Sequence, residues 1–108
     1  MRLTLILVTC FFTLLSSNIP SSDRHLRAIY LTERTVYELA EKISEKYIVK
    51  STSISRILYI NRSGLEVLVD DYFVRETAEG QAMGVEIDPI PCHGMITSDA
   101  VYGIRLRY

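Results

Sequence analysis

Hydrophobic and polar positions alternate along this chain with two different periods. Val36, Leu39, Ala40, Ile43 and Tyr47 recur at steps of three and four residues, which aligns them along one side of a helix. Thr35-Val36-Tyr37-Glu38 precedes them in the form of a capping box. The Thr35 hydroxyl can accept from the N–H of Glu38, and the Glu38 carboxylate can reach back to the N–H of Thr35. The pattern predicts a helix over residues 36–47. Its other face carries Glu38, Glu41, Lys42, Glu45 and Lys46. Glu38–Lys42 supports the helix slightly, Glu41–Glu45 opposes it, and the face as a whole is a solvated one.

Elsewhere the period is close to two, the signature of strands. Residues 26–32 carry apolar side chains on both alternating faces, so their inward side is ambiguous. Residues 54–60 (ISRILYI) read as a strand buried on both sides. Asn61-Arg62-Ser63-Gly64 reads as a hairpin loop in which Gly64 takes the left-handed conformation at little cost. The returning strand, 65–70, sets Leu65, Val67 and Val69 opposite Glu66, Leu68 and Asp70. Asp71 is expected to cap a short turn through Arg75, and Glu79-Gly80 breaks the chain again. Residues 82–88 alternate, with Pro89 and Pro91 expected to end the strand because proline cannot donate to a ladder. A mixed loop, 92–100, precedes a last alternating strand at 101–108.

The N-terminal seventeen residues fit none of this cleanly. Arg2, the apolar run 3–15, then Ser16 and Ser17, have the three parts of a secretory signal. Residues 3–12 equally suit a buried β-strand, and the stretch also fits an incorrect gene start. The run is shorter than the about 20 residues of a membrane span, so a membrane partner is not expected. The chain divides into this apolar segment (1–17), a polar connector (18–25) and a single domain (26–108).

The order of strand, helix, hairpin, short turn and strand, with a further strand at the end, requires the one helix to cover a face of a mixed sheet. An α+β domain of four to five strands with one main helix is expected, similar to the β-grasp fold of ubiquitin. In that fold the opening strand lies inside the sheet. A domain starting at Leu26 would lack it, unless residues 3–12 or the terminal strand stand in.

Ile43-Ser44-Glu45-Lys46-Tyr47, the hairpin, and Val69-Asp70-Asp71 followed by Val74 resemble the C-terminal region of the grainyhead and CP-two transcription factors. Arg27–Leu31 (RAIYL), Thr35-Val36 and the Glu79-Gly80-Gln81 turn are similar to fungal members, and Ile104-Arg105-Leu106 to their last strand. The resemblance implies a ubiquitin-like dimerisation domain of a nuclear DNA-binding regulator, whose DNA-binding domain is a separate upstream unit not contained in this sequence. A fragment of a longer protein is one reading; a small secreted β-grasp protein, cleaved near Ser17, is the alternative.

Composition narrows the partners. With 12 basic against 13 acidic residues among 108, and a pI near 6.1, the chain lacks the basic excess of a nucleic-acid-binding domain, so direct DNA contact is not expected. It ends Arg105-Leu106-Arg107-Tyr108 without the diglycine that a conjugated modifier needs. Asp70 and Asp71, adjacent in an extended segment, point to opposite faces and do not converge on a metal. Cys92-His93 and the isolated His25 fall short of a zinc ligand set, and offer no oriented thiol–imidazole pair. The five glycines are scattered, with no phosphate-binding loop. Cys10 and Cys92 read as ordinary thiols, and Asn61-Arg62-Ser63, an N-glycosylation triplet, as turn residues. No catalytic, cofactor or metal site is expected. The partner expected is a second copy or a related family member, met through the sheet. The residues placed at that interface are Ile29, Leu31, Leu65, Val67, Leu68 and Val69, with Leu68 singled out as apolar on an acidic face.

Overall fold

Alternation of buried and exposed residues is regular enough to build the sheet strand by strand. The computed structural model describes residues 8–15, 25–47, 53–90 and 101–108. Strand β1 (Thr9–Leu15) turns Thr9, Phe11 and Thr13 inward. It pairs antiparallel with β2 (Arg27–Leu31), so that Phe11 faces Ile29 and Thr9 faces Leu31. The ambiguity of residues 26–32 is thereby resolved: Ile29 and Leu31 go into the core, and Tyr30 goes out.

Helix α1 spans Val36–Tyr47, the range its periodicity predicts. Leu39 and Ile43 are buried, with Val36, Ala40 and Tyr47 packed beside them. The Glu38 N–H donates to Thr35 Oγ1 at 3.1 Å, as a capping box requires. The Glu38 carboxylate does not return to Thr35. It accepts from the backbone N–H groups of Thr32 and Glu33 and from the Thr32 hydroxyl, because the Thr35 N–H is already spent on the Glu33 carbonyl. Burial works slightly against the Glu38 carboxylate, but these bonds and nearby Lys42 outweigh it and hold its pKa below the ordinary value.

Beyond α1, β3 (Ile54–Ile60) turns through Asn61–Gly64 into β4 (Glu66–Leu68), antiparallel to it. Asn61 Oδ1 accepts from the N–H groups of Ser63 and Leu65, and Gly64 has φ 82°, the left-handed conformation expected of it. Helix α2 (Asp71–Glu76) follows. Its cap is Asp70, whose Oδ1 accepts from the Phe73 N–H at 2.8 Å. The sequence expectation placed that role on Asp71, one residue too late. Asp71 instead accepts from the Val36 N–H at 2.8 Å, satisfying one of the open donors at the start of the neighbouring helix.

Strand β5 (Ala82–Ile90) runs parallel to β1 and antiparallel to β6 (Val101–Arg107), and β6 runs parallel to β3. Contrary to expectation, β5 continues through Pro89, which pairs with Tyr102. Its ladder to β1 stops at Val85. Past that point β5 is paired on one side only among the described residues, and a missing donor there breaks no second ladder.

The described residues thus form an α+β unit: one mixed sheet in the order β2-β1-β5-β6-β3-β4, with two helices. Six strands stand where four to five were expected, the added one being β1. It lies inside the sheet, between β2 and β5. The core is a single cluster on the helix side, including Phe11, Leu31, Ile43, Val74, Val85 and Leu106. Buried Thr13 donates to the Arg27 carbonyl and accepts from the Tyr47 hydroxyl, tying β1 to the end of α1. At the end of β6, Tyr108 packs on Tyr59, which also meets Phe73. Burial there pushes the Tyr108 phenol pKa up.

Candidate interaction surface

The core cluster lies on the helix side, and among the described residues no helix packs on the other face of the sheet, although Ile60 on that face is itself only 6% exposed. Register determines which side chains share that face. Ala28, Phe12 and Ala82 form one row across β2, β1 and β5. Leu14, Gly84, Arg107, Ile60 and Glu66 form the next, from β1 to β4. Glu86, Arg105, Leu58 and Leu68 form a third.

The chemistry of the face changes across these rows. At the β2–β1 end it is apolar: Phe12 is 36% exposed, Leu26 53% and Tyr30 56%. Toward the middle it carries ion pairs. Arg107 Nε lies 2.7 Å from Glu86, and Arg105 reaches both Asp88 and Glu66 at 3.7 Å. All four pairing side chains on β5 and β6 are at least partly exposed, so each pair contributes about 1 kcal/mol or less. At the far end, Leu58 and Leu68 restore apolar character.

The six residues expected at an interface do not gather on one surface. Ile29, Leu31 and Val69 lie in the core, at most 4% exposed. Leu65 and Leu68 are exposed, at 64% and 65%, and Val67 at 39%. Of these, Leu68 shares the bare face, paired beside Leu58, while Leu65 and Val67 alternate to the opposite side of β4. Alternating sequence alone cannot say which side of a strand the helix covers.

The remaining candidates play structural parts. Asp70 and Asp71 are helix caps, and Asn61 builds the hairpin turn. Cys10 is a half-buried free thiol. Cys92 and His93 lie outside the described residues. Among the described residues no group of three potential metal ligands occurs, and no helix is long and apolar enough to cross a membrane.

One residue that the sequence did not single out organises the helix side. The Arg34 guanidinium donates to Thr9 Oγ1 at 2.7 Å, the Arg75 carbonyl at 2.6 Å, the Thr77 carbonyl at 3.2 Å and Glu79 at 3.4 Å. The other oxygen of Glu79 accepts from the Cys10 N–H at 2.7 Å. Arg34 thereby joins β1, the end of α2 and the turn before β5. An isolated arginine in a loop gives no pattern by which to find it. Arg34→Met should lower stability by about 2 kcal/mol, since charge-assisted bonds are lost. Urea unfolding should show this as a lower midpoint at unchanged slope. Arg34→Lys should recover only part, because an ammonium cannot span four acceptors spread this widely.

Compared with known families, residues 20–98 match the model of the GRHL1-like C-terminal domain. The chain belongs to this family. No curated protein and no solved structure matches it. The grainyhead match runs from before β2 to beyond β5 and leaves out β1 and β6. Those two strands flank β5 on either side. Among the described residues of the matched part, β2, β5 and the β3–β4 hairpin have no ladder to one another. The unity of this grainyhead-type domain therefore depends on strands outside the region by which its family is recognised. The family is one of transcription-factor domains, not of enzymes.

Proposed function

We propose that this domain is a non-enzymatic protein–protein interaction module that joins two copies of a grainyhead-like transcription regulator in the nucleus. The family match carries the proposal, since it spans most of the chain. A β-grasp architecture goes with it. In support, a hairpin-like pair (β1, β2) precedes the long helix, and β1 lies inside the sheet and parallel to β5. The strand β6, seated between β5 and β3, is then an addition to that plan. Overall sign balance, 12 basic against 13 acidic residues, supports a protein partner over nucleic acid. Cleavage behind residue 17 would remove β1 from between its two neighbours, which weighs for the nuclear reading over the secreted one.

Of the six residues expected at a contact, Leu65, Val67 and Leu68 are the exposed ones, and Leu68 alone of these shares the bare face. Sedimentation velocity of the full chain at tens of micromolar tests it. The expected species has twice the 12.4 kDa monomer mass. A folded monomer, with native circular dichroism on the same sample, overturns it.

A further inference from the structure

We infer that the second copy docks on the bare face of the sheet, packing the same face of its own sheet against it, rather than extending the sheet at the β4 edge. The inference rests on the homodimer reading above and names its surface.

Size is the first ground. Strands lie about 4.8 Å apart and rise about 3.3 Å per residue. The six strands hold 38 residues and therefore present a face of roughly 600 Å². Two such faces in full contact bury about 1,200 Å², at the lower end of the range of specific interfaces. The β4 edge offers three residues, Glu66–Leu68, and is far too short to do so alone.

The second ground is charge. The face carries Arg56, Arg105 and Arg107 against Glu66, Glu86 and Asp88, equal numbers of each sign. A two-fold contact must be complementary to itself, and a face of balanced sign can be; a one-signed face would select a partner of opposite charge. Most of these groups already hold a partner within the same face, so the seam can close without stranding them.

The apolar ends supply the driving force. Phe12, Leu26 and Tyr30 at one end, and Leu58 and Leu68 at the other, lose water when two sheets stack about 10 Å apart. Leu68 joins this surface, while Leu65 and Val67 do not.

Sedimentation velocity of the full-length chain and three variants tests the assignment. Phe12→Glu and Tyr30→Glu place a charge in the apolar end, and each should weaken the dimer at least tenfold. Their side chains are exposed, so circular dichroism and melting should stay close to those of the parent. Leu65→Glu, off the face, should leave the dimer unchanged. If the parent dimer persists in both face variants, or is lost in Leu65→Glu, this surface is wrong while dimerisation stands. A monomeric parent overturns the homodimer reading and this surface with it. Should Phe12→Glu fail to fold, Tyr30→Glu on the edge strand β2 decides alone. Oxidative footprinting of the parent offers a check without substitution: Tyr30 should be protected at high concentration and open at low, and constant exposure contradicts the docking.

Discussion

A chain lacking residues 1–15 should fail to fold cooperatively. The deletion removes β1, the only described neighbour of β2 and the parallel partner of β5. It also empties the site of Phe11, 1% exposed, and the hydrogen-bonded site of Thr13. Losing a buried phenylalanine alone costs about 3–5 kcal/mol, in a domain whose whole stability is on the order of 5–15 kcal/mol. Two ladders of backbone groups would be opened in addition. The anchors of Arg34 on Thr9 and of Glu79 on Cys10 would go as well. The expected result is a non-cooperative thermal trace by circular dichroism. A cooperative transition within about 1 kcal/mol of the intact chain would show that β1 is dispensable.

Leu106→Ala should cost about 3 kcal/mol, within the range for truncating a buried leucine. Leu106 is 1% exposed, sits between Val85 of β5 and Tyr59 of β3, and belongs to the one core cluster. β6 joins the two halves of the sheet, so a cavity there is felt on both sides, and partial collapse around it is restricted. Urea unfolding should register the loss as a lower midpoint. Tyr37→Ala, at a residue 72% exposed, should change stability by less than about 0.5 kcal/mol. Equal effects at the two positions would contradict the placement of β6.

Residues whose environment is local were legible in the sequence. Helix α1 carries its own stripe and its own capping threonine, and its bounds follow from them. The bounds of strand β3 and the Asn61–Gly64 turn are equally self-contained, but β3 is not buried on both sides as expected, since Ser55 and Arg56 are exposed. What escaped depends on distant partners. Glu38 was expected to reach back to Thr35 and Asp71 to cap its own short helix, but the donors each satisfies lie elsewhere, on Thr32 and Glu33 and on Val36. Pro89 stays within β5 because of where β1 happens to stop. For Ile29, Leu31 and Val69 the apolar character was plain, but their burial is set by the side on which the helices lie. Residues 9–15 present the same difficulty in stronger form. Their composition suits a signal, a strand or a stray start equally, and their place as β1 comes only from long-range pairing with β2 and β5. The candidate surface was half legible for the same reason. Leu68 stood out by its acidic company, while Phe12 and Tyr30 gain significance only when register brings them onto one face.

Both the unity of the sheet and the proposed docking face rest on β1 being an inner strand. Residue-resolved hydrogen exchange on the intact chain tests this directly. The amides of Phe11 and Thr13 should exchange as slowly as those of Val85 and Leu106, through global opening only. Exchange of the β1 amides at free-peptide rates, with α1 and β6 still protected, would contradict the account.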